Sequence, residues 1–366
     1  MKFLVHFYTL LLINGALSVT PCPSQDRAAL LKFKSAMNEP YLGLFSTWTG
    51  SNCCQNWYGV SCDPMDGRVV DINLRGESED PIIVKAGRPG LMAGKLPSEI
   101  CALNRLSTLV LADWKNISGE IPACITSLPF LRILDLVGNR FSGEIPAEIG
   151  RLSRLAVLNL ADNQFTGHIP TSIVQIQSLM HLDLSNNKLS GPLPSDFGWL
   201  RMLSRALLNR NQLSGPIPAS ISRMNRLADL DLSRNQFSGQ IPTSIGQMSV
   251  LSTLYLDMNH FSGSIPATIL KMPGLSILNL SRNEINGEIP DVFGERSYFT
   301  SLDLSWNNFR GKIPQSMARA LFIGHLDLCH NHLCGQIPKG SPFDRLEAAS
   351  FVSNDCLCGL PLKACN

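Results

Sequence analysis

Five side chains able to ligate a metal, His325, Cys329, His330, His332 and Cys334, fall within ten residues of one another. Imidazole and thiolate are the usual ligands of a zinc-type ion. The pattern around them weighs against that reading. They are strung along one extended segment and the turn after it, and sibling segments of the chain carry serine or another small or polar residue where Cys329 stands. No metal site and no cofactor are expected. Catalytic constellations are also lacking. The glycines follow a turn frame, no Gly-x-Gly-x-x-Gly opens a helix, and Asp and His recur at fixed positions of a repeat. The chain is therefore read as non-enzymatic. The remaining chemistry is that of binding: arginines and aromatics at outward positions of a regular scaffold, the residue types that anchor interfaces.

That scaffold is a repeat. Ile-Pro or Leu-Pro pairs place their prolines at Pro97, Pro122 and then every 24 residues from Pro146 to Pro338. The frame is L-x-x-L-x-L-x-x-N-x-Φ-x-G-x-Φ-P with Φ apolar, as in "LSILNLSRNEINGEIP" from Leu275. Alternating leucines face inward from a short strand. The Asn can satisfy backbone groups where the strand ends, and stacked coils can join those bonds into a ladder. Gly allows a tight turn, and Pro keeps the next segment out of a helix. One such coil buries too little apolar surface to offset the ordering of its backbone, so the coils must stack into a solenoid.

Two outward columns then carry the candidate site. The position between the inner leucines runs Asp135, Asn159, Asp183, Leu207, Asp231, Tyr255, Asn279, Asp303, Asp327. The position before the ladder Asn runs Gly138, Asp162, Asn186, Arg210, Arg234, Met258, Arg282, Trp306, His330. With strand-entry neighbours added, the predicted binding patch is Arg205, Arg210, Asp229, Arg234, Tyr255, Asp257, Met258, Arg282 and Trp306. Asn116-Ile-Ser and Asn279-Leu-Ser are glycosylation sequons. A glycan on Asn279 would obstruct this face and push the patch toward earlier coils.

The repeat is out of step at one place. "LVLADWKNISGEIP" carries Trp114 where the ladder Asn belongs and one inserted residue, Lys115. Before it lies a loop 13 residues longer than the frame requires, beginning with Glu77, Glu79 and Asp80. We read this as the join between a cap and the regular solenoid, with Trp114 covering the open end of the ladder.

The N-terminus, "MKFLVHFYTLLLINGALSV", has a cationic start, an apolar run and a small-x-small site at Ala16 and Ser18, the form of a secretory signal cleaved after Ser18. An uncleaved membrane anchor is the competing reading; Asn14 and Gly15 interrupt the apolar run. The sequence predicts no second membrane helix and no kinase domain. Net charge is +2 with no run of three consecutive cations, which argues against direct nucleic-acid binding. "CPSQDRAALLKFKSAM" predicts a helix with Ser24 as N-cap, Asp26 at its positive end, and Ala29, Leu30, Phe33 and Met37 buried. Cys101 and Cys124 occupy successive coils within bridging reach. Cys329 is left as a free thiol facing out of the last strand. Four cysteines in the N-terminal cap allow three connectivities.

These motifs resemble the plant-specific class of leucine-rich repeats, over ten coils from Leu106 to Pro338 and a degenerate strand, "VVDINL". The resemblance implies an α/β solenoid, a right-handed superhelical arc with a parallel concave sheet and disulfide-bonded caps. The division is then 1–18 signal, 19–67 N-terminal cap, 68–338 solenoid and 339–366 C-terminal cap. It also implies the pairs Cys22–Cys53, Cys54–Cys62, Cys334–Cys356 and Cys358–Cys365. The scaffold is similar to that of polygalacturonase-inhibiting proteins. "LVLADWK", "PFDRLEA" and "LDLCHNHLCG" sharpen the match toward the DNA-damage-repair/toleration leucine-rich-repeat proteins of plants, from which Cys329 departs. The functional expectation is a secreted, monomeric recognition protein of the extracellular space or cell wall. Its concave face would bind a protein, a peptide or a wall polysaccharide, in defence or stress response. Inhibition of pectin-degrading enzymes and an indirect role in DNA-damage tolerance are the alternatives.

Overall fold

The computed structural model describes residues 21–77, 81–88, 90–320 and 322–365. The signal expected over 1–18, and Glu79 and Asp80, lie outside the described residues. The chain is a right-handed solenoid built around a twelve-stranded sheet. Val60–Cys62 pairs antiparallel with Val69–Arg75, and every later neighbour is parallel, one strand per coil, to Phe322–Asp327. Register repeats with the sequence period: Leu158, Leu182, Ala206 and Leu230 stand side by side. Their side chains point into one continuous apolar core. After each marker proline the chain closes the convex side with a short 3-10 or α turn, such as Thr171–Gln175 or Thr243–Gln247, whose central Ile is buried.

The asparagine ladder explains why the frame repeats Asn at that position. Asn163 donates its amide to the carbonyls of Leu136, Leu160 and Ala161, and its Oδ1 accepts from Phe141 N at 2.9 Å. The same set recurs through Asn187, Asn211, Asn235, Asn259, Asn283, Asn307 and Asn331. Each buried amide thus satisfies backbone groups of two coils, which neither water nor an apolar side chain could do there.

The ladder runs further at both ends than the frame suggests. In the C-terminal cap Asn354 donates to Leu328 O and accepts from Leu333 N, and Cys356–Cys358 pairs with His332–Gln336. At the front, Trp114 is fully buried and its indole N–H donates to Leu74 O at 3.0 Å. That carbonyl is the counterpart of Leu111 O, which Asn139 takes at 2.7 Å in the next coil. Trp114 therefore does the work of a ladder Asn. The inserted Lys115 puts its coil out of step at this point, and the buried Asn139 Oδ1 has no partner.

The long loop is itself structured. It forms a helix, Pro81–Ala86, and a strand, Met92–Lys95, which pairs with Lys115–Gly119. Gly76 and Gly90 lie flat against the Trp114 ring; a Cβ on Gly90 would sit 2.3 Å from it.

In the N-terminal cap the helix spans Ser24–Ala36 and buries Ala29, Leu30 and Phe33, with Met37 beyond its end. The Ser24 expectation is corrected. Ser24 is already helical, Pro23 holds the cap position, and no side chain caps the helix. Asp26 instead turns inward, accepting from Arg68 through both oxygens at 2.9 Å and from Val69 N. This buried pair locks the helix to the first strand. Removing one partner of such a pair costs about 3–5 kcal/mol.

Sulfur bridges join Cys22 to Cys53, Cys54 to Cys62, Cys101 to Cys124, Cys334 to Cys356 and Cys358 to Cys365. Among the described residues no helix is long and apolar enough to cross a membrane.

Candidate ligand-binding face

The concave surface presents its side chains in columns, because each strand repeats its neighbour's register. In the entry column Arg205 lies between His181 and Asp229. In the central column Tyr255 lies between Asp231 and Asn279. Arg205 is exposed, and Asp229, Tyr255, Asp257 and Met258 are half-buried. Tyr255 stands among Asp231, Asp257 and Asp229. Burial and then these three carboxylates raise its phenol above the usual value, so it remains a neutral donor. Burial, reinforced by Asp231, pushes Asp257 up to about 6, against the pull of Arg234. Asp231 is raised as well, chiefly by burial. His181 is lowered by burial.

The third column forms the trailing edge of the face. Its backbone is left-handed in every regular coil, with φ between 52° and 56° from Asp162 to His330 and 70° at Gly138. Gly, Asn and Asp enter that region readily; larger residues pay about 1 kcal/mol in steric strain. Coils two to four hold Gly138, Asp162 and Asn186. From coil five the same position holds Arg210, Arg234, Met258, Arg282, Trp306 and His330. Three of these stack along the solenoid: Arg282 lies 4.7 Å over the Trp306 ring, and His330 stacks on Trp306 at 3.7 Å. Trp306 remains 43% exposed.

The nine predicted patch residues thus fall on one face, in two groups. Arg205, Asp229, Tyr255 and Asp257 belong to the strands and their exits; Arg210, Arg234, Met258, Arg282 and Trp306 line the trailing edge. Three neighbours were missing from the predicted patch. His330 belongs to the Trp306 stack, and its 24-residue offset signals it. Tyr298 and Phe322, stacked at 5.1 Å on the opposite edge, also sit 24 apart, but they precede the leucine frame that defines the columns.

Cys329 departs from its expected placement. It is free but only 8% exposed, so it does not face solvent. Its sulfur lies 3.2 Å from His330 Nδ1, which on paper is a thiol–imidazole pair. Burial and the Asp327 carboxylate hold the thiol up at about 12, the reverse of an activated cysteine. His332 contacts Asp355, and Cys334 is bonded to Cys356, so the His/Cys group does not converge. Of the sequons, Asn116 has a buried Oδ1 without a partner, and Asn279 Oδ1 accepts from Ser281 N and Oγ on the concave face. A separate polar recess of about 510 Å3 lies over coils one to four, between Lys115, Arg140, Asp162, Asn186 and Lys188. It is floored by ladder amides and is remote from the aromatic stack.

Residues 23–63 match the leucine rich repeat N-terminal domain, and residues 129–189, 226–248, 274–295 and 298–320 match leucine rich repeats. A 120-residue segment is 59% identical to the DNA damage-repair/toleration protein DRT100 of Arabidopsis thaliana, covering 32% of each chain. A 127-residue segment is 31% identical to the polygalacturonase inhibitor of Vitis vinifera, covering 33% of this chain and 34% of that one. The matched segments thus span about a third of these relatives' lengths. Among solved structures, a plant ice-binding protein superposes with TM-score 0.71 at 26% identity, over 95% of this chain and 99% of that one. The Arabidopsis receptor kinase HAESA, in complex with the peptide hormone IDA and the co-receptor SERK1, superposes with TM-score 0.68 at 31% identity, over 86% and 55%.

Proposed function

We propose that the chain, plant-type leucine-rich-repeat in its fold and repeats, is a secreted, non-enzymatic recognition protein. Coils five to ten of its concave face grip an extended segment of a peptide or protein ligand. One observation carries the reading: the change of residue type in the left-handed column. The scaffold alone favours Gly, Asn or Asp there, and the early coils have them. From Arg210 to His330 the chain instead keeps large cationic and aromatic side chains in a conformation that strains them. The Arg282–Trp306–His330 stack offsets part of that strain within the fold; contacts with a ligand would offset the rest, and Arg and Trp are the residue types that dominate binding energies. The acidic strip around Tyr255 beside that arginine edge gives a ligand two charge signs to register against.

Five disulfides fit an oxidising, exported environment. They also weigh against direct nuclear action, whatever the label of the DRT100 relative. A crystalline lattice as ligand is disfavoured, since the columns change charge and shape from coil to coil. The second reading is inhibition of a pectin-degrading enzyme, supported by the similarity to the grape inhibitor. The test is recovery of ligands from plant cell-wall extract on immobilised protein, compared with a Tyr255→Ala, Trp306→Ala variant. Equal recovery on both would sink the assigned face. Inhibition of one enzyme in a polygalacturonase panel by wild type alone would select the second reading.

A further inference from the structure

A second cluster of cations lies away from that face, at the strand-entry edge of coils one to three. Coil order stacks Arg105, Phe130 and Arg154 in succession, with the two guanidinium carbons 4.6 and 4.7 Å from the ring centroid. Arg132 projects beside them, two residues beyond Phe130. Together with Val70 and Ser107 these four enclose a recess of about 310 Å3. Among the described residues no carboxylate lines it. Arg105 is held from behind, at 3.7 Å by Asp63 and 3.5 Å by Asp66 of the N-terminal cap. Arg132 and Arg154 have no carboxylate partner among the described residues.

Three guanidinium groups line one recess, two of them against the Phe130 ring, and they repel one another; among the described residues only Arg105 has carboxylates to offset its charge. Contact with the ring holds two of the three in place, which lowers the ordering cost when a ligand arrives. Planar N–H forks of this kind match the paired oxygens of phosphate, sulfate or carboxylate groups. From this geometry we infer that Arg105, Arg132 and Arg154, with the Ser107 hydroxyl, form a preformed oxyanion site. It takes an anionic group of a ligand and is separate from the concave patch. The apolar ring is the distinguishing part. Phe130 holds Arg105 and Arg154 against its ring and Arg132 lines the same recess, so the anion would sit at the rim of the ring, within reach of the three side chains, not between the two stacked guanidinium groups.

The test is calorimetric titration with inorganic phosphate, sulfate, acetate and glucuronate at constant ionic strength. Three proteins are compared: wild type, Arg132→Ala/Arg154→Ala, and a control Arg201→Ala/Arg223→Ala. The control removes the two arginines that flank the exposed Trp199. Circular dichroism checks that all three are folded. The expected result is saturable one-to-one binding of at least one oxyanion by wild type and control, about tenfold or more weaker in the Arg132/Arg154 variant. The order of affinities among the four anions then identifies the group. Absence of saturable binding by any of them, or equal affinity in the Arg132/Arg154 variant, overturns the site. The Tyr255→Ala, Trp306→Ala variant retains this binding, so the outcome is independent of the concave-face reading.

Discussion

The Trp306 indole lies face to face with the His330 imidazole, their centroids 3.7 Å apart and their planes 8° from parallel. One coil earlier Arg282 covers the ring from the other side. Three residues from three coils thus make a single stack at the same 24-residue offset that builds the sheet. Trp306 is held but stays accessible, as the proposed binding role requires of an anchor ordered before its ligand arrives.

Trp306→Ala separates the two roles of that stack. The stacking contacts are at the surface and are each worth about 1 kcal/mol, so the unfolding midpoint in urea moves little. Loss of a central aromatic anchor costs about 2 kcal/mol or more of binding, roughly a thirtyfold weaker capture of the extracted ligand. A large fall in stability with unchanged capture would make the stack a scaffold element only.

Met258→Asn tests the strain in the left-handed column. Asn enters φ near 53° with less steric cost than Met. The half-buried Met258 side chain contributes little to the core, so the exchange stabilises the fold by about 0.5–1 kcal/mol. Chemical denaturation reads that gain directly. The same exchange in reverse, Asn186→Met, is expected to cost a similar amount; matching changes of opposite sign would tie the effect to backbone conformation.

The strands, turns and ladder were legible because each is a consequence of the period. Leu158 beside Leu182 follows from a 24-residue step, and so does the column that ends in Trp306 and His330. What escaped depends on partners set by the non-repeating parts. Asp26 could be placed on a helix end, but its partner Arg68 lies 42 residues away across the cap, and no local pattern relates them. The Arg105–Phe130–Arg154 sandwich has regular spacing, yet it sits in the segment before the leucine frame, where position does not predict which way a side chain turns. Cys329 was expected outside because its column was read as facing out; the same position is buried in earlier coils too, at Ala161, Ser233, Ser281 and Ser305.

Asp257 makes stability depend on pH in a definite sense. Its carboxyl titrates near 6 in the folded chain and near 3.8 when free. Between those values the folded state holds a proton that the unfolded state has lost, so stability falls as pH rises from about 4 through 6. Asp231, raised in the same direction, adds to the slope. Urea midpoints at pH 4.5 and 7 should therefore converge in Asp257→Asn relative to wild type; an unchanged difference would remove Asp257 as the source. Ionisation above pH 6 also adds a negative charge beside Tyr255, so a cationic ligand binds more tightly at pH 7 than at pH 5.

Trp114 carries the join between cap and solenoid, and two substitutions divide its contribution. Trp114→Phe keeps most of the apolar volume but removes the indole N–H, leaving Leu74 O buried without its donor. That costs about 1–3 kcal/mol. Trp114→Ala also empties the space that Gly76 and Gly90 close over, and truncation of a buried Trp costs about 3–5 kcal/mol. Because stacked coils unfold through their nearest neighbours, the damage should be local. Hydrogen exchange is expected to rise first in Gly76, Gly90 and the strands Val69–Arg75 and Thr108–Ala112, while the ladder from Asn163 onward stays protected. Uniform loss of protection along the whole solenoid in Trp114→Ala would show instead that the join nucleates the entire stack.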